Sequence, residues 1–117
     1  MRHRKRLKKM GLARPHRMSL LKNLVASLVL HGSIRTTENR AKALASRFGR
    51  LMSLIQKKDA REAIRLMPNY CGIEAASRKL VGELKTKYEK RKSGFTRITS
   101  IGVRKGDNSN LVQIELI

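Results

Sequence analysis

The sequence predicts an α+β fold, ordered as helix, strand, three helices and a closing β-hairpin, with an extended basic N-terminal arm in front. Three observations predict it. Apolar residues recur at three- and four-residue spacing in stretches between residues 16 and 91. They alternate between residues 95 and 116, on either side of a segment rich in turn formers. The chain also opens with a block of Lys and Arg that contains no acid and too few apolar residues for a core. At 117 residues the chain has the length of one ordinary domain, expected over 15–117, with the arm over 1–14.

The arm, MRHRKRLKKMGLAR, carries Arg2, Arg4, Lys5, Arg6, Lys8, Lys9 and Arg14, and the first acid in the chain is Glu38. Such a block reads as an extended segment, disordered when free. Pro15 suits the opening of a helix, where its missing N–H costs nothing. The first helix is expected over 16–31, with Leu20, Leu21, Leu24, Val25 and Leu28 on one stripe, and Gly32 is its natural stop. The β-branched run SIRTT, residues 33–37, follows as a short strand.

Thr37 can cap the second helix, over 38–58, where Ala41, Leu44, Phe48, Leu51 and Ile55 repeat at 3-4-3-4 spacing. Ala45 and Met52 widen that stripe, and Arg40, Lys42, Arg47 and Arg50 lie elsewhere on the surface. Asp59 with Glu62 resembles a capping box for a short third helix ending near Met67, where Pro68-Asn69 breaks it. The fourth helix, over 73–91, uses Ile73, Ala76, Leu80, Val81, Leu84 and Tyr88. Lys85, Lys87, Lys90, Arg91 and Lys92 gather toward its negative end, and Gly94 follows. In the tail, FTRITSI and LVQIEL read as strands around GVRKGDNSN, with Val112, Ile114 and Leu116 on one face.

Composition narrows the function. Twenty-eight Lys and Arg against eight Asp and Glu give a net charge of +20, where a small domain is soluble with roughly 2–8. Self-repulsion of that size opposes compaction, and a polyanion relieves it. Nucleic acid is the first candidate and an anionic membrane surface its rival. There is no Trp; Phe48, Tyr70, Tyr88 and Phe95 are the aromatics, and Tyr88 and Phe95 read as core. Stacking platforms for single strands are therefore missing, which favours recognition of folded RNA by shape and phosphate.

Cys71 is the single cysteine, so neither an internal disulfide nor a cysteine zinc cluster is available. His3, His16 and His31 lack metal-ligand spacing; His3 and His16 read as extra RNA donors and His31 as a helix end. The acids form no pair for acid/base chemistry and no magnesium cluster, and there is no phosphate-binding glycine fingerprint. No metal and no cofactor are expected, and no enzyme. The most apolar stretch, 20–30, is about half a membrane span and contains Lys22 and Asn23. No apolar signal core follows the basic start, so a soluble, cytoplasmic protein is expected.

Several segments, in order, resemble one family. The opening MRHRK, the run HRMSLLKNLVASLVLH, and Thr36-Thr37 followed by Arg40-Ala41-Lys42-Ala43 are similar to the bacterial large-subunit ribosomal protein L-seventeen. So are Gly94-Phe95-Thr96-Arg97-Ile98, Arg104-Lys105-Gly106-Asp107 and the ending Ile114-Glu115-Leu116. The resemblance spans the chain with few gaps. It departs at Leu12, Gly32 and Ser93-Gly94-Phe95, where that family usually has Arg, Glu and Gly-Gly-Tyr.

The resemblance implies a two-layer α+β domain, here expected with a small mixed three-stranded sheet. It also implies one copy per large subunit, with no homo-oligomer, bound to large-subunit rRNA near the exit of the polypeptide tunnel beside neighbouring ribosomal proteins. The expected RNA ligands are Arg2, His3, Arg4, Lys5, Arg6, Lys8, Lys9 and Arg14 on the arm. His16 and Arg17 at the first helix start, and Arg97, Arg104 and Lys105 on the hairpin, complete the set. Two rivals share the charge. An architectural DNA-binding protein would carry a dimer interface or a groove-reading element, and a small ribonuclease of the toxin type would cleave RNA.

Overall fold

The computed structural model describes residues 10–117. The first helix, α1, spans Arg14–His31 with Pro15 in its first turn. It starts two residues before the expected position, so Arg14 is helical and not the last residue of an arm. Gly32 ends it in the left-handed conformation, φ 79°, and donates its N–H to the Leu28 carbonyl at 2.8 Å. A Cβ in that conformation crowds the backbone carbonyl at a cost that glycine avoids, which is why glycine serves here.

Strand β1, Ser33–Thr37, leads directly into α2, Glu38–Lys57. Thr37 holds the N-cap position but makes no side-chain cap bond. Glu38, at the first helical position, instead pairs with Lys42 at 2.7 Å and accepts from the Asn110 amide at 3.1 Å. Every residue of the expected 3-4-3-4 stripe is buried, with Met52 beside them.

Helix α3, Ala60–Tyr70, opens on Asp59, whose carboxylate accepts the Glu62 N–H at 2.9 Å. The helix does not break at Pro68-Asn69 but runs through both to Tyr70. Proline there deletes one bond, to the carbonyl of the exposed Ile64, while the Cys71 N–H still closes the last turn onto Met67 at 2.8 Å.

The expected fourth helix is divided. Helix α4, Glu74–Lys79, continues through a π-helical segment, Leu80–Leu84, into the short α5, Lys85–Lys87. Ile73 is exposed at the N-cap and does not join the buried stripe. The residues that point inward are Ala76, Leu80, Leu84 and Tyr88, each four apart. A four-residue step overshoots an α-helical turn by roughly 40°. Repeated three times, that drift would carry Tyr88 off the core. The wider π turn undershoots, cancels part of the drift and keeps all four residues on one side. The helix ends at Lys87, so Lys90, Arg91 and Lys92 lie beyond it.

Strands β2, Thr96–Val103, and β3, Asn110–Leu116, form the hairpin, with β3 in the middle of the order β1-β3-β2. Where a mixed sheet was expected, both pairings are antiparallel; β1 and β2 run the same way but are separated by β3. The register slips between Ser100 and Gly102, leaving Ile101 as a bulge. Val112 and Ile114 are buried against the helices and Leu116 packs beside them.

The two layers meet in one aliphatic core that runs from Val25 to Ile114. In α1 the buried set is Leu21, Val25, Ala26, Leu28 and Val29; the expected Leu20 and Leu24 are only half-buried, and Ala26 and Val29 join the core instead, as α1 packs against α2, α3, α4 and β3. Phe95 stands edge-on to both Phe48 and Tyr88, at 6.4 and 5.3 Å between ring centres. Tyr88 also donates its hydroxyl to the Ile117 carbonyl at 2.8 Å, and the Ile117 N–H returns to Phe95 at 3.0 Å, which fastens the chain end to the core.

Candidate nucleic-acid interface

Of the expected ligands, Arg2, His3, Arg4, Lys5, Arg6, Lys8 and Lys9 lie outside the described residues. The rest fall at two places. Arg14, His16 and Arg17 occupy the first turn of α1, which holds no acid. Arg14 and His16 are exposed; Arg17 is half-buried and donates to the Leu12 carbonyl at 3.3 Å. Cations at a helix N-terminus oppose the helix dipole, at a cost of about 0.3–1 kcal/mol each, unless an anion sits among them.

Arg97, Arg104 and Lys105 sit on the hairpin, and their surroundings differ. Arg97 faces Glu115 across the β2–β3 ladder, 3.9 Å apart. Arg104 turns inward on the loop: its Nε donates to Asp107 Oδ1 at 3.0 Å and a second nitrogen reaches Oδ2. The Ser109 N–H adds a bond to the same carboxylate at 3.2 Å. These bonds, first the one from Arg104, hold the Asp107 carboxyl far below the usual carboxylate range, and the bond to Asp107 raises Arg104 in turn. Asn108, at φ 60°, supplies the left-handed residue that closes the loop. Arg104 therefore shapes the hairpin tip, and Lys105 beside it has no carboxylate partner among the described residues.

Arg47 is a cation the fold itself uses. It donates to the Asn69 carbonyl at 2.9 Å, lies over the Tyr70 ring at 5.3 Å, and keeps its Nε buried without a hydrogen-bond partner among the described residues. Burial pushes its guanidinium below the ordinary value. It pins α2 to the end of α3.

Sequence reasoning missed a third basic place. A groove of about 670 Å³ runs between α2 and residues 92–96. Helix α2 contributes Ser46, Gly49, Arg50, Ser53 and Lys57; Lys92, Ser93 and Gly94 form the facing wall. The signal was present as a second stripe on α2, at residues 46, 49/50, 53 and 57, running beside the apolar one. Its partner wall is some forty residues away in sequence. No group of three His, Cys, Asp or Glu side chains placed to hold a metal occurs among the described residues.

The comparisons with known proteins agree with one another. The family model described as ribosomal protein L17 matches residues 20–117. The chain is 39% identical to the large ribosomal subunit protein bL17 of Sulfurimonas denitrificans, over the full length of both. It is 37% identical to the protein of that name in Desulfotalea psychrophila, over all of this chain and 90% of that one. Against that of Desulforudis audaxviator it is 36% identical, over 94% of this chain and 97% of the relative.

Proposed function

This chain belongs to the ribosomal protein L17 family, and from that premise we propose that it binds large-subunit rRNA through its basic N-terminal arm and basic surfaces. The family is one of structural ribosomal proteins of the bacterial large subunit, and the chain is not an enzyme. In the proposal, residues 1–13 form an arm that enters rRNA grooves and neutralises phosphates, and Arg14 continues it on the first turn of α1. His16 and Arg17 extend it at the start of α1, and Arg97, Arg104 and Lys105 add a second contact at the hairpin. The folded part over 15–117 docks as one domain, in one copy, near the exit of the polypeptide tunnel and against neighbouring ribosomal proteins, on cytoplasmic ribosomes.

The observation that carries this reading is the charge the fold leaves uncompensated. All eight carboxylates lie within the described residues, and they face twenty-eight Lys and Arg in the chain. All five ion pairs among the described residues join side chains three or four apart in sequence or cross-strand partners, at exposed or half-exposed positions. No charged residue is buried among those described. A few cations, Arg47 first, bond backbone carbonyls of the fold, but most of the excess positive charge among the described residues lies free on the surface and matches a partner with a dense row of phosphates.

The test is binding of the full chain to large-subunit rRNA, small-subunit rRNA and duplex DNA of matched length, with sedimentation alongside isolated subunits. Preference for large-subunit rRNA and sedimentation with large subunits are expected. Equal affinity for duplex DNA, or migration with small subunits, overturns the reading.

A further inference from the structure

We propose that the groove between α2 and residues 92–96 seats the sugar–phosphate backbone of an RNA strand, as a contact surface separate from the arm and the hairpin. The inference rests on the rRNA-binding reading above and names a site for it. Its first support is charge. Arg50 and Lys57 stand two helical turns apart on α2, and Lys92 stands on the opposite wall. All three are exposed, and none has a carboxylate partner among the described residues. No acid lines the groove. A channel with cations on both walls and no anion is complementary to a polyanion.

The second support is Gly49. Mid-helix glycine costs about 1 kcal/mol relative to alanine. At Gly49 the fold gives no reason for it. The backbone there is helical, and nothing stands within 4 Å of where a Cβ would be. The space that a side chain would fill is the groove itself. With Ser46 and Ser53 one turn to either side, the floor is low and carries hydroxyls, which suits close approach by a phosphate backbone.

The surface is also ill suited to reading bases. Phe95 in the wall is buried against Phe48 and Tyr88, and Tyr70 already carries Arg47 against its ring. The contact therefore positions RNA without selecting its sequence.

The experiment compares the full chain with the R50Q/K57Q/K92Q variant and, separately, with G49L, which fills the floor while favouring helix. Each is titrated with large-subunit rRNA across a range of salt, and folding is followed by circular dichroism. The triple variant should keep its melting curve. Its slope of log affinity against log salt should fall by about 2–3, with equal loss for RNAs of different sequence. G49L should melt no lower than the parent and bind more weakly. If both variants bind as the parent does while removal of residues 1–12 weakens binding, the groove proposal is wrong and the rRNA reading stands. If the parent itself shows no preference for large-subunit rRNA, the underlying reading fails instead. If the triple variant loses binding to poly-glutamate but not to rRNA, the groove takes an acidic protein segment and the proposal is overturned.

Discussion

Truncating Phe48 to alanine tests the core from its centre. The ring is wholly buried in the middle of α2, between the other stripe residues and the edge of Phe95 at 6.4 Å. Removing a buried phenyl ring forfeits its transfer free energy and leaves a cavity, together about 3–5 kcal/mol. The lost edge-to-face pair falls within that range, at about 0.5–1.5 kcal/mol. Phe95 itself leans on Tyr88, so part of the cavity can close only by disturbing a second contact. That argues for the upper half of the range. A chain of this size has a total stability of order 6–15 kcal/mol, and self-repulsion at +20 lowers it. The variant should therefore lose from about a quarter to about four-fifths of the parent's stability, with a melting temperature lower by roughly 10–20 °C. Urea denaturation is the assay, run at about 0.5 M salt to mute the self-repulsion. F48L, which keeps most of the volume, should lose less than half as much. A loss below about 1.5 kcal/mol for F48A would refute the reasoning, since a loss that small belongs to a ring that is not fully enclosed.

Other expectations follow from single features. Deleting residues 1–12, which leaves the Ala13 cap and the first turn of α1 in place, removes six positive charges and few apolar groups. Thermal unfolding of the remainder should be unchanged or slightly improved while rRNA binding weakens; loss of folding would show that the segment packs as part of the domain. Affinity of the full chain for rRNA should fall roughly 10³–10⁵-fold between about 50 and 200 mM salt if about 6–10 phosphates are contacted, and a flat response would sink the phosphate reading. Tyr88→Phe removes only the hydroxyl bond to the Ile117 carbonyl. It should cost about 0.5–1.5 kcal/mol in urea denaturation, and a cost near zero would mean that this bond does not fasten the chain end. For the hairpin tip the sign follows from Asp107. Its folded carboxyl lies below its ordinary value of 3.8, so its contribution is complete above that value and is lost only as pH falls toward the folded one. Amide exchange at Ser109, referred to the intrinsic rate at each pH, should give constant protection from neutrality to about pH 5 in the parent and lower protection in Asp107→Asn. Equal protection in both would remove the carboxylate from the account.

What the sequence displayed depended on how many neighbours each element has. Helix α2 buries one face only, and its stripe at 41, 44, 48, 51 and 55 is legible for that reason. Helix α1 packs against α2, α3, α4 and β3, so Ala26 and Val29 join the core although they lie off the stripe that periodicity selects. The π segment was hidden for a different reason. Positions 76, 80, 84 and 88 satisfy the i, i+4 rule locally, and only the accumulated drift over three steps betrays the need for a wider turn. Pro68 misled because a helix terminus tolerates the loss of one bond that a helix middle does not. Charge was legible as a total but not as an assignment. Nothing in the string distinguishes Arg104, held by Asp107, or Arg47, held over Tyr70, from Arg50, which no carboxylate among the described residues meets.

That last distinction separates folding from binding in this protein. The core is entirely apolar among the described residues, with no buried ion pair whose loss would unfold it. Cations such as Arg50, Lys57, Lys92 and Lys105 contribute to the free protein mainly mutual repulsion. Salt must then act on the two processes with opposite sign. By screening like charges it stabilises the free fold, and by competing for phosphates it weakens attachment to RNA. A cation that serves the fold breaks this pattern, as Arg47 does: its guanidinium is partly desolvated and hydrogen-bonded to a backbone carbonyl. Replacing it removes a donor from a partly buried site, whereas replacing Arg50 removes only repulsion. The balance of stability lost against affinity lost thus sorts each cation into one role or the other, and if the groove seats RNA, replacing Arg50, Lys57 or Lys92 must cost affinity and not stability.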